Sequence, residues 1–353
     1  MPTAPTTPYL RVNLDRLRRN VRSTAEWAAT HRLALRPHVK THKSPEIARL
    51  QLGQGAVGLS VATLGEAEVF SQQGCTDLFV AYPVYVEERA AERLRGLAER
   101  GRVAIGVDSV EGAARAGRLL APYGVEVVVE VDCGQHRTGC PPEEAGSVAV
   151  AAARAGLTVR GVFTFPGHSY APDGMATAGA DEARALTTAR AAVEREGLEV
   201  SVVSGGSTPS FAHLDTDVLT EARPGVYVFG DAQQWELGSM PPESIALTCR
   251  STVVSLAGGR AVLDAGSKAL AADRAAYSTG AGRLLDHPKA RIVQLSEHHA
   301  VVDLGGAPLP RVGSQLDVVP NHCCAAVNLA DDLWVEEHDV LRPWPVAARG
   351  RNG

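Results

Sequence analysis

The chain has 353 residues, 45% of them hydrophobic, and a formal net charge of −5. That length supplies two domains, or one barrel with an appendage. Basic residues scattered along the chain exclude a nucleic-acid footprint, and no apolar stretch approaches the roughly 20 residues of a membrane span.

The opening residues, Met1-Pro2-Thr3-Ala4-Pro5-Thr6-Thr7-Pro8, lack the apolar core of a secretory signal. The six cysteines, Cys75, Cys133, Cys140, Cys249, Cys323 and Cys324, show no disulfide-scaffold spacing. Both features fit a reduced, cytoplasmic setting with no membrane partner. From residue 30 onward one pattern repeats: a short apolar, β-branched run, a turn, then an Ala-rich, charged segment of helical period. The runs are 33–39, 57–62, 78–82, 103–107, 125–131, 159–165, 200–203 and 226–229. Helices are predicted at 63–73, 110–120, 143–155 and 181–196, with Thr63 and Glu66 forming a capping box at the first. Strand and helix in alternation, eight times over, predict an α/β fold of the (β/α)8 TIM-barrel type spanning 9–240. An open doubly wound sheet is the alternative, but no G-x-G-x-x-G follows the first strand.

The helical period stops after Asp231. Turn-bounded runs at 246–256, 260–264, 291–294, 300–304 and 315–319 predict a smaller all-β domain over 241–345, which an N-terminal strand can join. Gly238-Ser239-Met240-Pro241-Pro242-Glu243 reads as the linker, and residues 1–8 and 346–353 read as frayed ends.

Chemistry in such barrels gathers where strands run out into βα loops. Lys40, in Arg36-Pro37-His38-Val39-Lys40-Thr41-His42-Lys43, closes the first run. A lysine at the mouth of a buried strand can lose its proton to desolvation and attack carbonyls. Asp132-Cys133-Gly134-Gln135-His136-Arg137 closes the fifth run, and Gly167-His168-Ser169-Tyr170 the sixth. Ser204-Gly205-Gly206-Ser207-Thr208 closes the seventh, where barrel phosphate sites form from backbone N–H groups, and Tyr227 lies in the eighth. Each piece alone has an ordinary reading as a turn, an ion pair or a packed ring; their gathering on one rim is the signal. A second signal is His322-Cys323-Cys324. On an extended segment His322 and Cys324 share a face and suit Zn²⁺ with open positions for water or substrate, while Cys323 faces the other way and packs.

Taken together, Arg36 to Lys43, Asp132-x-Gly134-x-x-Arg137-x-Gly139, Gly167 to Tyr170, Ser204 to Pro209, Arg223-Pro224-Gly225-x-Tyr227 and Pro320-Asn321-His322-x-Cys324 resemble the D-serine dehydratase/D-threonine aldolase family. These are fold-type III pyridoxal 5'-phosphate (PLP) enzymes related to alanine racemase. The resemblance implies a PLP-binding barrel plus a β-domain, working as a homodimer on a small-molecule D-amino acid. It implies Lys40 as the Schiff-base lysine, Ser204, Gly205, Gly206, Ser207, Thr208 and Tyr227 near the phosphate, and Arg137 and Tyr170 near the ring. It implies His322 and Cys324 as metal ligands. The dehydratase branch carries H-x-C with zinc and the aldolase branch H-x-D with a harder ion, so Cys324 favours a dehydratase of D-serine or a related β-hydroxy D-amino acid, giving a 2-oxo acid and ammonia. A D-threonine-type aldolase, with His168 as base and glycine plus an aldehyde as products, is the alternative. An amino-acid racemase, for which Tyr277 is the one β-domain tyrosine available as opposing acid, and a non-enzymatic PLP carrier stand further off.

Overall fold

The structure, a computed structural model, describes residues 5–353, so the first half of the predicted frayed N-terminus lies outside the described residues. The chain divides into two compact units: Thr24–Lys40, Ala48–Gly225 and Arg351–Gly353 in one; the described residues through Ser23, Thr41–Ile47 and Val226–Gly350 in the other. The crossings fall at Lys40/Thr41 and Gly225/Val226, so contact assigns 226–240 to the second unit, upstream of the boundary expected at 240.

The first unit is a barrel of eight parallel strands. They are Ala34–Leu35, Leu59–Val61, Asp77–Pro83, Arg102–Val107, Glu126–Glu130, Thr158–Phe163, Val202–Gly205 and Glu221–Ala222. The last pairs with the first (Ala34 opposite Glu221), and the other seam closes through a His38–Ser60 bridge and the bond from Val57 N–H to Leu35 C=O. Helices Leu64–Gln72, Glu88–Ala98, Val110–Leu120, Ala145–Arg154 and Gly174–Arg195 alternate with the strands. Thr63 caps its helix by accepting the Glu66 N–H at 3.0 Å, and the Glu66 carboxylate reaches back to Ala62 N–H at 2.7 Å, one residue beyond the usual box.

The predicted eighth strand is corrected. The run 226–229 is a buried 3₁₀ turn, Val226–Val228, and the strand is Glu221–Ala222. Its apolar signature is absent because Glu221 points its carboxylate to Arg36 (2.7 Å) and Ser204 (2.7 Å), in a polar network that also holds Arg223. Beside it packs an apolar cluster of Phe79, Ala104, Val128 and Phe163, with the two phenyl rings edge to face at 5.0 Å.

The second unit is built on a nine-stranded, mostly antiparallel sheet. Its main path runs Arg291–Leu295, Ala300–Asp303, Arg260–Leu263, Leu247–Ala257, Tyr9–Asn13, Asp332–Glu337 and Val340–Pro345; Gln315–Val319 pairs with Leu247–Ala257 and with Arg283–Leu284. The N-terminal strand is antiparallel to Leu247–Ala257 and parallel to Asp332–Glu337. Gly258 and Gly259, both at positive φ, turn the hairpin between Leu247–Ala257 and Arg260–Leu263, the conformation a two-residue loop demands. The expected linker is packed structure: Gly238 caps the helix Ala232–Leu237 and Met240 is buried. Nor is the C-terminal segment frayed. Ala348 N–H bonds Lys43 C=O, and in the barrel unit Gly353 C=O accepts from Gly65 N–H at 3.0 Å.

Candidate active site

The barrel's first strand stops at Arg36-Pro37, because proline has no N–H for the ladder, and the chain turns into the 3₁₀ segment Val39–Thr41 that carries Lys40. Lys40 is half-buried, with Nζ 5.6 Å from the centre of the Phe165 ring. The Arg137 guanidinium lies 5.3 Å from the same ring, and Tyr170 packs beside it at 6.4 Å between centroids. Three expected site residues from three loops thus meet around one aromatic ring, whose faces attract cations.

Asp132 shapes the loop that presents Arg137. Its Oδ1 accepts Gly134 N–H (2.9 Å) and His136 N–H (3.0 Å), and its Oδ2 meets His136 Nδ1 at 2.7 Å. Burial raises the Asp132 pKa, but these hydrogen bonds outweigh it and hold the carboxyl below its ordinary range. Gly134 has φ +122, and a Cβ there would sit 3.2 Å from His168 Cε1. His168 Nε2 pairs with Asp181 Oδ2 at 3.2 Å, while its Nδ1 is buried without a hydrogen-bond partner among the described residues. The site therefore holds a histidine with one nitrogen anchored by a carboxylate and the other buried.

After strand Val202–Gly205 the loop turns at Gly206 (φ +85), whose N–H donates to Glu182 Oε1 at 2.6 Å. Burial pushes Glu182 up to about 7, against the opposing pull of that N–H and Arg223. The Ser207 hydroxyl lies 2.8 Å from both Ser169 Oγ and Ser210 Oγ, beside the buried Thr208. Ser204 stands apart: its hydroxyl donates to Glu221 and accepts from Arg223, which commits it to the barrel interior.

In the second unit Tyr227 is buried in the turn Val226–Val228. His322 is extended and caps a short helix, Cys323–Val327, so Cys324 sits in a helical turn rather than on the extended segment expected from the sequence. The pair still converges, since the His322 imidazole hydrogen-bonds the Cys324 side chain. The Cys324 thiol also donates to Thr41 Oγ1 at 3.4 Å, and Cys323 is fully buried. Asp231 clamps this turn. Its Oδ1 caps Ala232–Leu237 through Gln234 N–H and its Oδ2 accepts Cys323 N–H, while Ala232 and Gln233 N–H bond Pro320 and Asn321 C=O. Burial pushes Asp231 up to about 6. Burial lowers the His322 pKa, but Cys324, then Asp231 and Asp273, more than offset that and hold it at about 10.

Sequence reasoning missed Phe165, Asp181, Asp231 and Asp273 as parts of these sites. Asp231 had a signal, a capping residue just ahead of Ala-Gln-Gln-Trp. Asp273, 49 positions before His322, had none.

A parallel eight-stranded barrel with a strand-end lysine, joined in one chain to an antiparallel sheet, defines the alanine racemase-like class. Residues 12–233 match the alanine racemase N-terminal domain and residues 246–335 a putative serine dehydratase domain. The chain is 33% identical to the 3-hydroxy-D-aspartate aldolase of Paracoccus denitrificans, over 98% of this chain and 92% of that protein. It is 30% identical to the D-threo-3-hydroxyaspartate dehydratase of Delftia sp. HT23, whose solved structure superposes with a TM-score of 0.89 over 97% of both chains. That enzyme has also been solved as a histidine-to-alanine variant and as a cysteine-to-alanine variant in the metal-free form. The D-threonine aldolase of Filomicrobium marinum superposes with a TM-score of 0.86 at 32% identity, over 98% of this chain and 96% of that one. The chain belongs to the fold-type III PLP family, and it is a lyase of that family.

The residues present fit PLP. The amine and guanidinium over Phe165, the His168 ring edge packed beside Gly134, and the hydroxyls around Gly206 form a donor set suited to a ring and a phosphate. Among the described residues no group of three or more His, Cys, Asp or Glu side chains could hold a metal ion. No helix among them is long and apolar enough to cross a membrane.

Proposed function

We propose that the protein is a PLP- and zinc-dependent ammonia-lyase acting on D-serine or a related β-hydroxy D-amino acid, with a 2-oxo acid and ammonia as products. One observation carries this reading: His322 and Cys324, an imidazole and a thiol two residues apart, sit at the start of one turn in the second unit, a borderline-soft pair of donors. The dehydratase relative supports it, because the histidine and cysteine replaced in its solved variants are spaced as His322 and Cys324 are.

Bound PLP supplies an electron sink at Cα, and zinc a Lewis acid for a β-hydroxyl. Lys40 is the residue that would hold PLP, and its amine takes the α-proton. Arg137, set by the Asp132 turn, orients the ring, and Ser207 and Thr208 offer hydroxyls to its phosphate. His322 and Cys324 hold the metal as a borderline-soft pair, which suits zinc better than a hard cation. The β-hydroxyl leaves as water, and one water is taken up again when the amine is released as ammonia.

The test is to load the protein with PLP and zinc and offer D-serine, D-threo-3-hydroxyaspartate, D-threonine and their L-isomers. Oxo acid with stoichiometric ammonia from a D-substrate is expected. Glycine with an aldehyde would replace the dehydratase reading by an aldolase, and inverted amino acid would replace it by a racemase.

A further inference from the structure

Asp273 is outside the site as the sequence describes it, yet its Oδ2 lies 3.0 Å from His322 Nδ1. The approach is built, not incidental. The helical turn Ser267–Leu270 is fixed by Ser267 and Lys268 N–H bonds to Ser296 and Glu297 C=O. It ends at Ala271, a non-glycine residue at φ 62 and ψ 176. Such backbone is costly for a residue with a Cβ and persists where the surroundings over-determine it, commonly at functional sites. Two residues on, the chain delivers Asp273 to the imidazole. On the far side, Asn321 Nδ2 bonds Gly280 C=O at 3.0 Å, so the backbone leading into His322 is held as well.

We propose that Asp273 is a positioning residue for His322: it accepts a hydrogen bond from Nδ1–H, fixes the ring's tautomer and plane, and leaves Nε2 as the donor to a divalent metal shared with Cys324. This rests on the reading of His322 and Cys324 as a metal pair. A carboxylate on the far nitrogen of a ligand histidine makes the other nitrogen a better donor, and loss of such a partner lowers metal affinity about 10–100-fold. The D-to-N change keeps an acceptor but drops the charge; the D-to-A change removes both.

The experiment measures zinc affinity by competition with a chromogenic chelator in PLP-loaded wild type, Asp273→Asn, Asp273→Ala and Asp273→Glu. Long-range ¹⁵N–¹H spectra of histidine-labelled, zinc-loaded protein report which nitrogen of His322 carries the proton. Asp273→Ala should bind zinc about 10–100-fold more weakly, and its His322 should lose the single Nδ1–H signature. Asp273→Asn should fall between it and wild type, Asp273→Glu should recover most of the affinity, and PLP content should be unchanged in all. Asp273→Ala that binds zinc as tightly as wild type with the same His322 tautomer would overturn the role of Asp273 alone. A wild type that takes up no zinc would overturn the metal pair itself, and this inference with it.

Discussion

Glu221→Ala tests the polar seam that brings the first and last barrel strands together. Arg36 is 2% exposed, with Nε on Glu221 at 2.7 Å and Nη1 on Asp77 at 2.6 Å; Glu221 is 4% exposed and also accepts from Ser204. The guanidinium has room only because residue 58 is glycine, where a Cβ would lie 2.3 Å from Nη1. Removing one partner of a buried ion pair costs about 3–5 kcal/mol, since the other charge stays buried. Asp77 remains, which puts the loss near the lower end, and the Ser204 hydroxyl losing its acceptor adds about 1 kcal/mol. At a urea m-value of about 3 kcal/mol/M, the midpoint should fall by roughly 1 M. Glu221→Gln, which keeps an acceptor, should cost about 1–2 kcal/mol. The sharper test is the pair Arg36→Met/Glu221→Leu, which removes both charges of the Arg36–Glu221 pair and should be milder than Glu221→Ala alone. Urea unfolding followed by circular dichroism, at fixed saturating PLP, reads all three. A midpoint within about 0.3 M of wild type for Glu221→Ala, or a double variant worse than the single, would refute the reasoning.

Lys40→Ala should lower turnover at least 10²–10⁴-fold, the range for a general base, and borohydride should no longer fix PLP to the chain; retained fixation would reassign the lysine. Glu182, with an ordinary pKa of 4.5 raised to about 7 by burial, keeps in the folded state a proton that the unfolded chain sheds. Stability therefore falls as pH rises from about 4.5 to about 7 and levels above that, by on the order of 3 kcal/mol from this group. Glu182→Gln should remove that part of the slope, and urea midpoints unchanged across the window relative to wild type would count against it. Gly134→Ala forces an alanine to φ +122 and a methyl against His168, so both stability (about 1–3 kcal/mol) and turnover should drop. Gly124→Ala, at φ +71 with open space around it, should cost stability alone, about 1–2 kcal/mol; equal turnover in the two variants would free His168 of any functional role.

The barrel was legible where strands are buried on both faces and read as continuous apolar runs, as in 103–107 and 125–131, observed as Arg102–Val107 and Glu126–Glu130. It was illegible at Glu221–Ala222, where the inward residue is a carboxylate, and at 226–229, where four apolar residues fill a 3₁₀ turn. Rim residues could be found because each closes a strand, a position that local sequence marks. Lys40, Arg137 and Tyr170 came together around Phe165, but no local signal showed that Ser204 would be held inside by Glu221 and Arg223. Asp181 and Asp273 act across 13 and 49 positions, and such partners follow from the fold and not from spacing.

The Asp231 carboxylate ties the start of one helix to the turn that carries both His322 and Cys324. That turn cannot drift without uncapping Ala232–Leu237. An ion taken up by the proposed His322/Cys324 pair would meet donors on a turn that these bonds already hold, which spares the cost of ordering it. Removing and restoring such an ion would then leave the turn in place.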